Sequence, residues 1–212
     1  MPDDHALRVL RGVLNRLRSQ PWERDRWSTP RVRAAREEAL ARFGLLRSPE
    51  QVASIDKETF LGFLRCENNR HRMGFGRVAL MTADLPRLRE ALSFLVDERL
   101  PLRTRLDRMR PPGGKPMVQG LGPGIITLIL HFSDPDRYGI LNGTSERIIR
   151  RLGLFPAIPV KASLATRYEA VNRVLLGIAS ELEVDLGLLD TLWWRVLPQD
   201  LAVPVVPQAR AR

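Results

Sequence analysis

Apolar residues recur at three- and four-residue spacing along almost the whole chain. Leu7, Leu10, Val13, Leu14 and Leu17 mark one face of an amphipathic helix with Asp3 and Asp4 as candidate caps. Thr29 before Pro30 reads as an N-cap followed by proline in the first turn, and Gly44 stands where a helix can end on a left-handed residue. A second helix is therefore predicted from about 30 to 43. Further starts are predicted at Ser48-Pro49, Asp56 and Asp84, the last opening a helix through Leu88, Leu92, Leu95 and Val96. Apolar periodicity then predicts helices near 125–132, 144–152, 163–182 and 188–196, and strand-type alternation is nearly absent. The expected fold class is all-α.

A chain of 212 residues buries roughly 70% of the surface it exposes when unfolded, enough to need no disulfide or metal. One helical domain is expected over 1–197, with an N-terminal lobe to about 98 and a second lobe from about 99, followed by a loose tail at 198–212 that carries three prolines and two terminal arginines. One cysteine, Cys66, and an acidic start at Asp3 and Asp4 point to an intracellular, cytoplasmic chain. The longest apolar stretch, around 125–130, falls far short of the roughly 18 residues of a membrane span.

Net charge is +10, with 34 basic against 24 acidic residues, which points to a polyanionic partner. Only Lys57, Lys115 and Lys161 are lysines. GC-rich codon usage produces such a skew, and arginine also supplies the planar fork of donors that suits phosphate and guanine edges. The most positive stretch holds Arg99, Arg103, Arg105, Arg108, Arg110 and Lys115 against Asp107, and runs into Pro111-Pro112-Gly113-Gly114. It reads either as a solvated helix face or as an arginine-rich groove.

The segment 117–132, MVQGLGPGIITLILHF, places Gly120-Leu121-Gly122 and then Pro123-Gly124 at the start of an apolar helix. Glycines on either side of one apolar residue predict a tight hairpin between two short helices, with Leu121 pointing inward as its anchor. Such a backbone can take positive φ and present the unpaired N–H groups of a helix start to a phosphate, without reading a base. An ordinary glycine turn between core helices has the same pattern. There is no GxxxxGK[ST] motif and no strand with an acidic partner to frame a dinucleotide fold.

The hairpin is followed by Asn142-Gly143-Thr144-Ser145-Glu146-Arg147 and then Ile148-Ile149-Arg150-Arg151-Leu152-Gly153-Leu154. Over about 110–154 the chain resembles the helix-hairpin-helix DNA glycosylase superfamily. The resemblance implies a two-lobed helical bundle that grips duplex DNA through its hairpin, and with the arginine-rich groove read from the charge run the expected DNA-binding residues are Gly120, Leu121, Gly122, Gly124, Ile125, Lys115, Arg103, Arg105, Arg108, Arg110, Thr144, Ser145 and Arg147. It also shows what has been lost. Asn142 falls where the family keeps its catalytic aspartate, and Gly124 where bifunctional members keep the Schiff-base lysine. The single cysteine excludes the iron-sulfur cluster of some members. The expected function is therefore DNA binding without catalysis of its own, in DNA repair or restriction and defence, with no cofactor and no metal. The alternative is an active glycosylase using Asp134 or Asp136, and Asn142 has an ordinary use as the N-cap of the next helix.

Three blocks, 63–77, 138–146 and 185–194, resemble parts of bacterial proteins that accompany restriction-type nucleases or McrB-like ATPases, which implies a nuclease or ATPase partner, or an adaptor role in a defence assembly. Asn68, Asn69, His71 and Arg72 form a polar knot that reads as a pocket lining or as a helix C-terminus. Cys66 and His71 lack a carboxylate at ligand spacing. His131 reads as a satisfied near-core residue, and at least one of Trp193 and Trp194 as core.

Overall fold

Local capping chemistry starts the helices where the pattern places them. Asp56 Oδ1 accepts the Thr59 N–H at 2.6 Å, Asp84 Oδ1 that of Arg87 at 3.0 Å, and Ser163 Oγ that of Thr166 at 3.2 Å. In the computed structural model, which describes residues 4–19, 29–66 and 75–201, eleven α-helices and no strand are found. They are α1 Asp4–Ser19, α2 Thr29–Arg42, α3 Pro49–Val52, α4 Lys57–Arg65, α5 Phe75–Met81, α6 Leu85–Val96, α7 Leu102–Met109, α8 Pro123–Ser133, α9 Gly143–Arg151, α10 Leu164–Leu182 and α11 Leu186–Trp193. The protein is all-α, and no described helix is long and apolar enough to cross a membrane.

Helix α8 occupies the centre: every residue from Ile125 to Phe132 is buried, all of them apolar except Thr127 and His131, whose polar atoms are hydrogen-bonded. The 3-10 turn Gly44–Arg47 and α6 pack against it, α6 also packs on α7, and α7 packs on α10. Helix α1 lies against α10 and α11, so contacts join the two ends of the chain across the predicted division near residue 98. The buried side chains form one continuous core.

Two local expectations are corrected. Gly44 is not left-handed; among the described residues the glycines with positive φ are Gly113, Gly120 and Gly153. After α2 the chain continues into the 3-10 turn because Phe43 packs edge-on against Phe63, with ring centroids 5.4 Å apart, and against Phe132 at 6.5 Å. The tail is anchored at its start, where Pro198–Leu201 form a 3-10 turn and Arg16 donates to both carboxylate oxygens of Asp200, at 2.8 and 2.6 Å. Residues 202–212 lie outside the described residues.

Candidate functional site

The glycine segment is reached through a long irregular loop, not through a short helix. After α7 the backbone runs through 110–122 without helix, because Pro111, Pro112 and Pro116 remove donors and disfavour helical conformations in the residues before them, and Gly113 takes φ 69°. The tight two-helix hairpin expected from sequence is thus replaced by a loop pinned at three points. The Met117 N–H donates to Met109 O at 3.0 Å, Arg87 Nε to Met117 O at 2.7 Å, and the Leu121 N–H to Val118 O at 3.4 Å. Leu121 is buried, as its anchoring role requires. Positive φ is needed at Gly120 (82°), whereas Gly122 has φ −84° and serves as N-cap of α8 with open space where a Cβ would stand.

Beside this start lies the start of α9. Asn142 Oδ1 accepts the N–H groups of Thr144 at 2.8 Å and Ser145 at 3.0 Å, while Ser145 Oγ accepts the Asn142 N–H at 2.8 Å, a reciprocal capping box. Thr127 Oγ1 takes the Leu141 N–H at 3.0 Å and so ties the segment before α9 to α8. A Cβ built on Gly124 lies 3.5 Å from Asn142 Cβ, so the first turns of the two helices are side by side. The positive ends of two helix dipoles share one surface.

The carboxylate next to Asn142 is neither Asp134 nor Asp136. Asp134 caps the C-terminal end of α8 and Asp136 follows it, roughly 15 Å along the helix from Gly124 at 1.5 Å rise per residue. The neighbour is buried Asp190 on α11, whose Oδ1 accepts from Asn142 Nδ2 at 3.3 Å. An acidic residue on the apolar face of DLGLLDTLWW is the signal for it, a polar group where the periodicity demands burial. This bond turns the amide so that its oxygen faces the α9 donors. Asn142 is committed to capping.

An immediate consequence concerns Asn142→Asp. The introduced carboxylate would face Asp190 Oδ1 where an N–H donor now stands, so the two carboxylates share a proton in the folded state and the pair's upper pKa is raised. A raised folded-state pKa means that the variant is most stable at low pH and loses stability as pH rises through the normal carboxylate range and above. Thermal unfolding at pH 4 and pH 8 should show the deficit from wild type growing at pH 8; an equal deficit at both contradicts the pairing.

Four of the six basic side chains from Arg99 to Lys115 are ion-paired within the protein, one of them buried. Arg105 is fully buried and donates to Leu95 O at 2.9 Å, Glu98 Oε1 at 2.7 Å and Tyr138 Oη at 2.7 Å, so it cannot touch a phosphate. Arg103 pairs with Glu169 and donates to Thr166 Oγ1 at 3.0 Å; Arg108 pairs with Glu90 at 2.9 Å and lies over Phe94; Arg99 pairs with Asp97 at 2.7 Å. The expected arginine-rich groove is thereby corrected at Arg105; Arg103 and Arg108 remain exposed in surface pairs, and Arg110 and Lys115 on the loop before α8 and Arg147 on α9 have no ion pair among the described residues. Buried Ser145 and Ile125 are also unavailable to an external ligand, whereas Thr144 is half-buried. Asn68, Asn69, His71 and Arg72 lie outside the described residues.

His131 is buried with Nδ1 2.8 Å from Tyr138 O, and of the two tryptophans Trp193 is core and Trp194 exposed. No group of His, Cys, Asp and Glu able to hold a metal ion occurs among the described residues. Comparison with protein-family models, curated proteins and solved structures finds no match to the chain.

Proposed function

We propose that the protein binds the phosphate backbone of duplex DNA at the paired N-termini of α8 and α9, without base-excision chemistry of its own. The observation that carries this reading is the approach of Gly124 to Asn142, which sets two helix starts together on a chain of net charge +10. The N–H groups of Gly124 and Gly143 have no acceptor among the described residues and sit at the positive ends of their helices, the geometry that suits a phosphate oxygen. Thr144 adds a hydroxyl, and Arg110, Lys115 and Arg147 supply charge for flanking phosphates. Backbone contacts position a protein on DNA without choosing a sequence. A binding module of this kind fits a place in repair or in a restriction and defence assembly, with a nuclease or ATPase doing the chemistry.

The test is fluorescence anisotropy on a labelled duplex of about 20 base pairs, with salt varied from about 50 to 200 mM. Three paired phosphates predict a log–log slope of roughly −3, from about 0.9 released counterion per contact. No binding at about 50 mM salt contradicts the proposal. Robust base release from damaged or mismatched duplexes contradicts the absence of catalysis.

A further inference from the structure

At the far end of α9 the chain builds a second feature, away from the paired helix starts. Leu152 and Gly153 (φ 70°) turn it into the irregular segment 154–162, in which Pro156 and Pro159 restrict the backbone until Ser163 caps α10. Between this segment and the two helices lies an open groove of 550 Å³, lined by Phe155, Ile158 and Val160 together with Arg150 and Arg167. Val160 is fully exposed, an aliphatic side chain with nothing over it.

The two guanidinium groups are held in place. Glu146 accepts from Arg150 Nε at 3.0 Å and pairs with Arg167, and Arg150 stacks on Phe155 at 3.4 Å. Burial works against the charged form of Glu146, yet the arginines hold its pKa below the ordinary glutamate value. Two positive groups thus share one negative group. Arg167 Nε is buried with no hydrogen-bond partner. The groove keeps one uncompensated positive charge beside an aliphatic surface.

We infer that this groove docks a segment of a partner protein that presents an acidic side chain next to an aliphatic one. Charge complementarity places the carboxylate on Arg150 and Arg167, and the aliphatic group covers Ile158 and Val160. Arginine flanked by apolar and aromatic side chains is the composition of an interface core. Single-stranded nucleic acid fits less well, because base recognition needs an open aromatic face and that of Phe155 is taken by Arg150.

The probe is a labelled ten-residue peptide of alternating leucine and aspartate, with a leucine–lysine peptide and a labelled oligothymidylate beside it. The acidic peptide should bind, the basic one should not, and amide NMR shifts should concentrate at Gly153, Ala157, Ile158 and Val160. Val160→Asp, at a position too exposed to disturb folding, should weaken the acidic peptide about tenfold, the scale of an interface anchor. Arg167→Gln should weaken it similarly, while Lys115→Gln, outside the groove, should leave it unchanged. The inference is overturned if the acidic peptide does not bind, if Val160→Asp binds it like wild type, or if oligothymidylate moves the same amides more tightly. Duplex affinity should be the same in Val160→Ser as in wild type, which separates this groove from the DNA-binding surface.

Discussion

Arg105→Ala should lower unfolding free energy by about 3–5 kcal/mol, the range for truncating a large, fully buried side chain. The side chain is fully enclosed, and its truncation leaves Leu95 O and Tyr138 Oη without their charged donor. It also leaves Glu98, which accepts from Arg137 Nη1 at 2.6 Å and from the Tyr138 hydroxyl at 2.9 Å, short of its buried partner. Burial already raises the Tyr138 pKa, an effect that Arg105 opposes. The network joins the end of α6, the start of α7 and the segment after α8. Arg103→Ala, which removes an exposed pair with Glu169, should cost less than about 1 kcal/mol. Urea denaturation followed by circular dichroism measures both. A loss under about 1 kcal/mol at Arg105 contradicts the bracing role. Under conditions where the variant remains folded, its duplex affinity should equal that of wild type, the reverse of what the charge run alone implies.

The contrast between these two arginines shows where the sequence is legible. Helix starts can be read from it because a cap is a contact over two or three residues: Asp56, Asp84, Asn142 and Ser163 all cap the helices that follow them. The burial of α8 is legible for a similar reason, since its sequence IITLILHF offers only Thr127 and His131 as polar residues. Ion pairing is not local. Arg105 meets Tyr138 across 33 positions and Arg103 meets Glu169 across 66, so a run of arginines reads the same whether solvated or braced. The glycine segment is partly legible: inward Leu121 and a helix start after Gly122 follow from the pattern, but which glycine takes positive φ depends on how Met117 and Val118 are pinned. Asp190 escapes notice because its partner Asn142 lies 48 positions away.

The central claim, phosphate binding at the paired starts of α8 and α9, is most directly tested at Gly122. Its φ of −84° suits any residue, and nothing lies within 4 Å of the Cβ position, so a side chain there is accommodated. Aspartate is a stronger N-cap than most residues and its charge suits the helix start, so Gly122→Asp should unfold at the same temperature as wild type or higher. The same carboxylate occupies the place of the phosphate and repels it. Loss of one charge-assisted contact, about 1.5–3 kcal/mol, predicts roughly ten- to hundredfold weaker binding. Gly44→Asp makes the same change in charge at another open position and corrects for the overall field. The deciding measurement is the duplex affinity of Gly122→Asp beside Gly44→Asp at about 50 mM salt. The account predicts that Gly122→Asp alone loses at least about tenfold, with its melting temperature intact; equal affinities for the two variants would contradict it.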